Sequence, residues 1–169
     1  MEILIDTREQ RPFTFDRFDC STARATIPTG DYSLFCLEDR IAIERKTLDD
    51  LVACITGRNR DRFERELVRA TELERFAVVI EASWEDLSRG RYRSKLNPAA
   101  ALQSVCSWMS RFGYPFLFPG SRRAAEYITH SLLAKFHKHR AAIPAQIPST
   151  PPRSEERRVG KDCATGCRS

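Results

Sequence analysis

Two short runs of strand-forming residues, 31–37 (Asp-Tyr-Ser-Leu-Phe-Cys-Leu) and 40–46 (Arg-Ile-Ala-Ile-Glu-Arg-Lys), are separated by Glu38-Asp39 alone. A two-residue spacer between such runs is the commonest β-hairpin connection. The pair fixes an antiparallel ribbon early in the chain, and the alternation of side chains then decides what each residue can reach. With Glu38-Asp39 as the turn, Leu37 faces Arg40, Ser33 falls opposite Glu44, and Asp31 falls opposite Lys46. Asp31, Glu44 and Lys46 emerge together near one end of the ribbon. Leu34, Cys36, Ile41 and Ile43 take the other face and enter a core. A slip of one residue would turn Glu44 and Lys46 to the wrong face.

Partners directly or diagonally across a sheet lie about 5–8 Å apart. Two carboxylates that close repel unless a cation neutralises them, and hard oxygen donors suit magnesium. Lys46 beside that ion would orient or deprotonate water, or offset charge developing on a phosphate. A third strand, Glu2-Ile3-Leu4-Ile5-Asp6, ends on a carboxylate, and Glu9 follows in a loop. Ligands sit at the polar ends of buried strands in α/β folds, so Asp6 and Glu9 are expected at the same cluster. This is the inventory of a magnesium-dependent phosphodiesterase.

Three phrases, Asp6-Thr7-Arg8-Glu9, Gly30-Asp31 and Glu44-Arg45-Lys46 followed by Asp50, occur in the order found in one family. They resemble the nuclease domain of the XPF/MUS-type structure-specific endonucleases, in a stand-alone form of the sort phages and bacteria encode. The resemblance spans residues 1 to about 140. It implies an α/β, restriction-endonuclease-like core, a central mixed sheet flanked by helices. It also implies a Mg2+- or Mn2+-dependent DNA endonuclease that hydrolyses phosphodiester bonds in branched, flap or junction DNA, as used in DNA repair and recombination. Asp31, Glu44 and Lys46 take the catalytic core roles under it, with Asp6, Glu9 and Asp50 as supporting acids. Asp31, Glu44, Asp6 and the backbone carbonyl of Arg45 would hold metal. The tandem helix-hairpin-helix modules and helicase of longer members have no counterpart here. The family also contains inactive members, so a non-catalytic DNA-binding module or dimer partner is the alternative. Relatives dimerise through this domain; Tyr127, Ile128, Leu132, Leu133 and Phe136 would serve a homodimer or close the chain's own core.

Basic residues mark the expected DNA contacts. Arg8 lies in the first phrase; Arg58 and Arg60 flank the start of a predicted helix. Arg62 sits with them but alternates with Asp61, Glu64 and Glu66, the pattern of a solvated face. Arg89, Arg91, Arg93 and Lys95, with Tyr92 between, make a loop with no neutralising acid and one stacking ring. The side chain of Arg45 points away from Glu44 and Lys46, toward a structural ion pair or a catalytic role. A net charge of +5 is compatible with nucleic acid.

Helical spacing predicts a Thr47-capped helix ending at Gly57, a second over 59–75 burying Phe63, Leu67, Ala70 and Leu73, and a turn of helix at 84–87. Asn97-Pro98 opens a longer one to Gly113, and Ser121 caps the last, to about Arg140. Strands are expected at 76–81 and 115–118. Residues 141–169 are Pro/Ser/Arg-rich without apolar periodicity and are expected to be a disordered tail, partly foreign to the domain. Of the six cysteines, Cys20, Cys36, Cys54 and Cys106 read as small buried residues of a reduced cytoplasm, and Cys163 and Cys167 are too isolated for zinc. Neither a signal peptide nor a membrane span is expected. The predicted location is therefore cytoplasmic, in a bacterial or phage-infected cell.

Overall fold

A computed structural model describes residues 1–142; the first two residues of the predicted tail, Ala141 and Ala142, end the last helix, and the rest of it, with Cys163 and Cys167, lies outside the described residues. Six strands form one mixed sheet: β1 (Glu2–Asp6), β2 (Ser21–Ala25), β3 (Tyr32–Leu34), β4 (Ile41–Lys46), β5 (Arg75–Ile80) and β6 (Phe116–Leu117). Their order is β2-β1-β3-β4-β5-β6. β3 runs antiparallel to both neighbours, and the β1–β2, β4–β5 and β5–β6 pairs are parallel. The helices are α1 (Leu48–Ala53), α2 (Gly57–Arg69), α3 (Trp84–Ser88), α4 (Pro98–Phe112) and α5 (Arg122–Ala142).

Alternation along the strands supplies a core on each face. Ala42, Val78 and Ile80 meet α1, α2 and α4 through Leu51, Val52, Phe63, Leu67, Val105 and Trp108. Phe63 stands edge-on to Trp108 with ring centroids 5.0 Å apart, the kind of aromatic pair that adds to plain burial. On the other face, Ile3, Ile5, Tyr32, Ile41, Ile43 and Val79 meet Phe13, Phe15 and α5. Leu133 is fully buried there, Ile128, Leu132 and Phe136 pack against the same cluster, and only Tyr127 of that group is exposed. The apolar residues of α5 thus close the chain's own core. No helix among the described residues is long and apolar enough to cross a membrane.

The ribbon between β3 and β4 differs from its expected form. Tyr32 pairs with Ile43, so Asp31 stands opposite Glu44 rather than Lys46, and Ser33 opposite Ala42. The connection is residues 35–40, not Glu38-Asp39 alone. The Leu37 N–H donates to the Leu34 carbonyl, the Ile41 N–H donates to the Leu37 carbonyl, and Cys36 takes a left-handed φ of 63°. That bend throws Cys36 into solvent instead of the core. The shift is two residues, an even number, so every other residue keeps its expected face. Two further boundaries move. Gly57 opens α2 instead of ending α1, and β2 forms where no strand is predicted.

Candidate active site

Three strand ends converge on the α1/α2 side of the sheet. β1 ends at Asp6, β3 begins just after Asp31, and β4 ends at Lys46. The Asp6 N–H donates to the Asp31 carbonyl at 2.8 Å, and the Asp31 N–H donates to the Ile43 carbonyl at 2.9 Å. Gly30 makes that junction possible. Its φ is +81°, and a Cβ there would lie 3.0 Å from the Ala42 Cβ and 3.2 Å from the Ile43 oxygen. A glycine therefore precedes the aspartate because the backbone turns and passes tightly against β4.

An open cavity of about 420 Å³ results, lined by Asp6, Arg8, Asp31, Glu44, Lys46, Asp50 and Cys54 from the sheet side and α1. Its other wall is α2, through Asn59, Arg62, Phe63, Glu66 and Arg69. Glu44 is only 6% exposed. The Lys46 ammonium donates to Glu44 Oε1 at 2.6 Å and lies 4.6 Å from the centre of the Phe63 ring. Asp31 Oδ2 accepts from the Arg45 N–H at 2.8 Å. Backbone groups alternate edges along a strand, so the Arg45 carbonyl lies on this same edge of β4, facing Asp31. Asp50, at the third position of α1, accepts from the Thr47 hydroxyl, and the Asp50 N–H donates back to that hydroxyl oxygen.

Burial sets the electrostatics. It pushes Asp31 up to about 6, with Glu9 and Glu66 adding like charge against the opposing Arg45 N–H and Lys46. Burial also raises Glu44 well above the carboxylate range, against the pull of Lys46. Lys46 is itself desolvated, which favours the neutral amine, yet Glu44 more than offsets this and holds the ammonium protonated. Asp6 is the contrast. Burial pushes it up, but Arg8 donates through its backbone N–H, Nε and a terminal nitrogen, and the Ile27 N–H adds a fourth bond. The outcome is a carboxyl held below its usual range.

The structure gathers Asp31, Glu44, Lys46, Asp6 and Asp50 around one cavity; Glu9 is not there. Glu9 lies on the opposite side of β4, where Arg45 donates to it at 3.0 Å and to Glu81 at 3.0 Å, with the three side chains 7–11% exposed. The Arg45 side chain is thus a buried structural ion pair. The basic loop also departs from expectation: Asp86 pairs with Arg91, Glu85 with Arg89, and Asp49 with Arg93, so acids do neutralise it. The Tyr92 hydroxyl donates to the Leu96 carbonyl, and the half-buried ring packs against the core. Lys95 and Arg58 are exposed. Arg60 stacks over Trp108 at 5.2 Å and pairs with Glu64, a packing role. Arg62, read as a solvated side chain, lines the cavity, and so do Glu66 and Arg69. Their one signal in the sequence is that they flank the buried positions Phe63 and Leu67 of α2 and Ala70 just after it.

Among the described residues, no three His, Cys, Asp or Glu side chains gather closely enough to hold an ion alone. Asp31 and Glu44 still fit one. Magnesium is commonly bound through one or two carboxylates, with water and substrate phosphate completing the shell, and both carboxylates carry a burial cost that a cation would relieve.

Among solved structures, XPF from Aeropyrum pernix superposes with a TM-score of 0.68 at 19% identity, over 92% of this chain and 70% of that one. XPF from Aeropyrum pernix in complex with DNA gives 0.64 at 21%, over 82% of this chain and 66% of that one. What is shared is the restriction-endonuclease-like architecture, a mixed sheet flanked by helices. No curated protein matches the sequence. The model of the ERCC4 domain matches residues 5–131, three quarters of the chain, and the chain belongs to the ERCC4 domain family.

Proposed function

We infer that this ERCC4-domain protein is a Mg2+- or Mn2+-dependent endodeoxyribonuclease acting on branched, flap or junction DNA. The observation that carries the reading is the opposition of Asp31 and Glu44 across β3 and β4, with the Lys46 ammonium beside them in one cavity. Asp31, Glu44 and the Arg45 carbonyl would hold the ion, with Asp6 next to them. When bound, the ion would supply positive charge to the scissile phosphate and lower the pKa of water. Lys46, kept protonated by Glu44, acts as a hydrogen-bond donor to the attacking water or to phosphate oxygen rather than as a base. Arg8 holds Asp6 in place while the exposed remainder of its side chain faces the DNA. The Asp50 carboxylate fixes the start of α1 at the cavity rim.

The test is cleavage of a panel of labelled flap, forked and four-way DNAs with Mg2+, Mn2+ and chelator. Metal-dependent cleavage is expected, abolished in Asp31→Asn and Glu44→Gln while DNA binding survives. Full activity in either variant ends the mechanism. A wild-type protein that binds these DNAs without cutting any of them is a DNA-binding module instead.

A further inference from the structure

One helix face has no counterpart in the motifs that carry the family resemblance. Asn59, Arg62, Glu66 and Arg69 recur on α2 at intervals of three and four, which places them on one stripe. The stripe borders buried Phe63 and Leu67, and docking of those two against the sheet turns it into the cavity. The Glu66 side chain forms no hydrogen bond or ion pair with a described residue, and it lines the same cavity as Asp31, Glu44 and Lys46. Neither Arg62 nor Arg69 has an acidic partner among the described residues. The other arginines of the helix differ: Arg60 is held by Glu64 and Trp108, while Arg58 and Arg65 point outside the cavity.

We propose that α2 forms the second wall of the active site, with Arg62 and Arg69 holding DNA phosphates on either side of the scissile bond and Glu66 orienting the attacking water. The proposal rests on the nuclease reading above. Seven residues of helix separate the two arginines by about 10 Å, close to three axial steps of a DNA strand. Guanidinium forks at that spacing reach two phosphates about three steps apart, with the scissile bond between them. Phosphate at Arg62 and Arg69 would leave Glu66 between them, where a carboxylate repels phosphate but accepts from water.

The experiment measures binding of a fluorescein-labelled flap duplex by anisotropy in EDTA across a salt series, followed by single-turnover cleavage with Mg2+. Arg62→Gln and Arg69→Gln should each weaken binding about tenfold and lower the salt slope by about one. Arg65→Gln, outside the cavity, should change neither. Glu66→Gln should bind at least as tightly as wild type in EDTA. Its cleavage should fall at least tenfold, and that of Glu66→Ala about a hundredfold. Equal losses of slope at Arg62, Arg69 and Arg65, or wild-type cleavage by Glu66→Ala, overturn the proposal. If instead Asp31→Asn cleaves normally, the nuclease mechanism fails, while the EDTA binding data still decide the arginine assignment.

Discussion

Asp31→Asn should remove cleavage and make the metal-free protein more stable. In the folded chain burial pushes the Asp31 carboxyl from 3.8 up to about 6, and each unit corresponds to about 1.4 kcal/mol. Above pH 6 the ionised group therefore destabilises the fold by about 3 kcal/mol relative to an unshifted aspartate. Asparagine keeps an oxygen for the Arg45 N–H and removes the charge, but gives up the attraction to Lys46. The net gain should be about 1–3 kcal/mol, or about 3–10 °C in melting temperature for a domain of this size. The sign follows from the direction of the shift. A carboxyl whose folded pKa lies above its unfolded value costs nothing below about pH 4, costs progressively more between 3.8 and about 6, and carries its full penalty above that. Melts in EDTA from pH 4 to pH 8 should show the two proteins converging at the acid end and separating at neutral pH. Added Mg2+ should raise the melting temperature of the wild type and leave the variant unmoved, because binding to the native state alone stabilises it. A variant melting at or below wild type at pH 7.5 in EDTA, or an advantage independent of pH, would refute the reasoning.

Gly30→Ala forces a left-handed φ on alanine and sets its Cβ 3.0 Å from that of Ala42. The backbone cost alone is about 1–3 kcal/mol, and displacement of the adjoining Asp31 should lower single-turnover cleavage about a hundredfold; unchanged cleavage would show that the junction does not position the carboxylate. Arg45→Met leaves Glu9 and Glu81 buried without their shared partner, and denaturant melts should show a loss of about 3–5 kcal/mol. Arg45→Lys should recover little, since one ammonium cannot reproduce the fork that spans both acids. Thr47→Ala removes the side-chain cap that accepts from Asp50 and should cost only about 1 kcal/mol; a loss as large as that of Arg45→Met would mean the cap also holds the cavity rim.

The hairpin shows how far pattern reading reaches. Alternation alone puts Asp31, Glu44 and Lys46 on one face, and that holds although the turn is longer than the spacing suggests. The longer turn was not legible because Cys36 occupies a left-handed conformation that nothing in Phe-Cys-Leu announces. β2 escaped for a different reason. Ser-Thr-Ala-Arg-Ala has no apolar alternation and lies at the sheet edge, so only its hydrogen bonds to β1 make it a strand. α2 is charged on almost every side outside Phe63 and Leu67, and which of its acids meets the cavity depends on how those two residues dock. In Arg-Asp-Arg-Phe-Glu-Arg-Glu-Leu, Glu64 and Glu66 look alike. Glu64 accepts from the Trp108 indole and Arg111, and Glu66 turns inward.

The consecutive Glu44-Arg45-Lys46 divides two tasks between the faces of one strand. Glu44 and Lys46 supply charge to the cavity, and Arg45 between them goes to the far side, where Glu9 and Glu81 enclose it. Arg122 at the start of α5 also donates to Glu81 and to the carbonyls of Arg11 and Pro12. A one-residue slip of β4 would take the guanidinium away from both acids and carry Glu44 and Lys46 out of the cavity. Buried ion pairs add little net stability, but a mispaired one is strongly penalised. The pair therefore acts chiefly on register: it excludes the alternative alignment that would disarm the site. Glu9, expected as a supporting acid at the cluster, has its place in that exclusion. Arg45→Met should then weaken Mg2+-dependent stabilisation as well as the fold itself, whereas an equally destabilising truncation in the α5 core, Leu133→Ala, should leave Mg2+-dependent stabilisation intact.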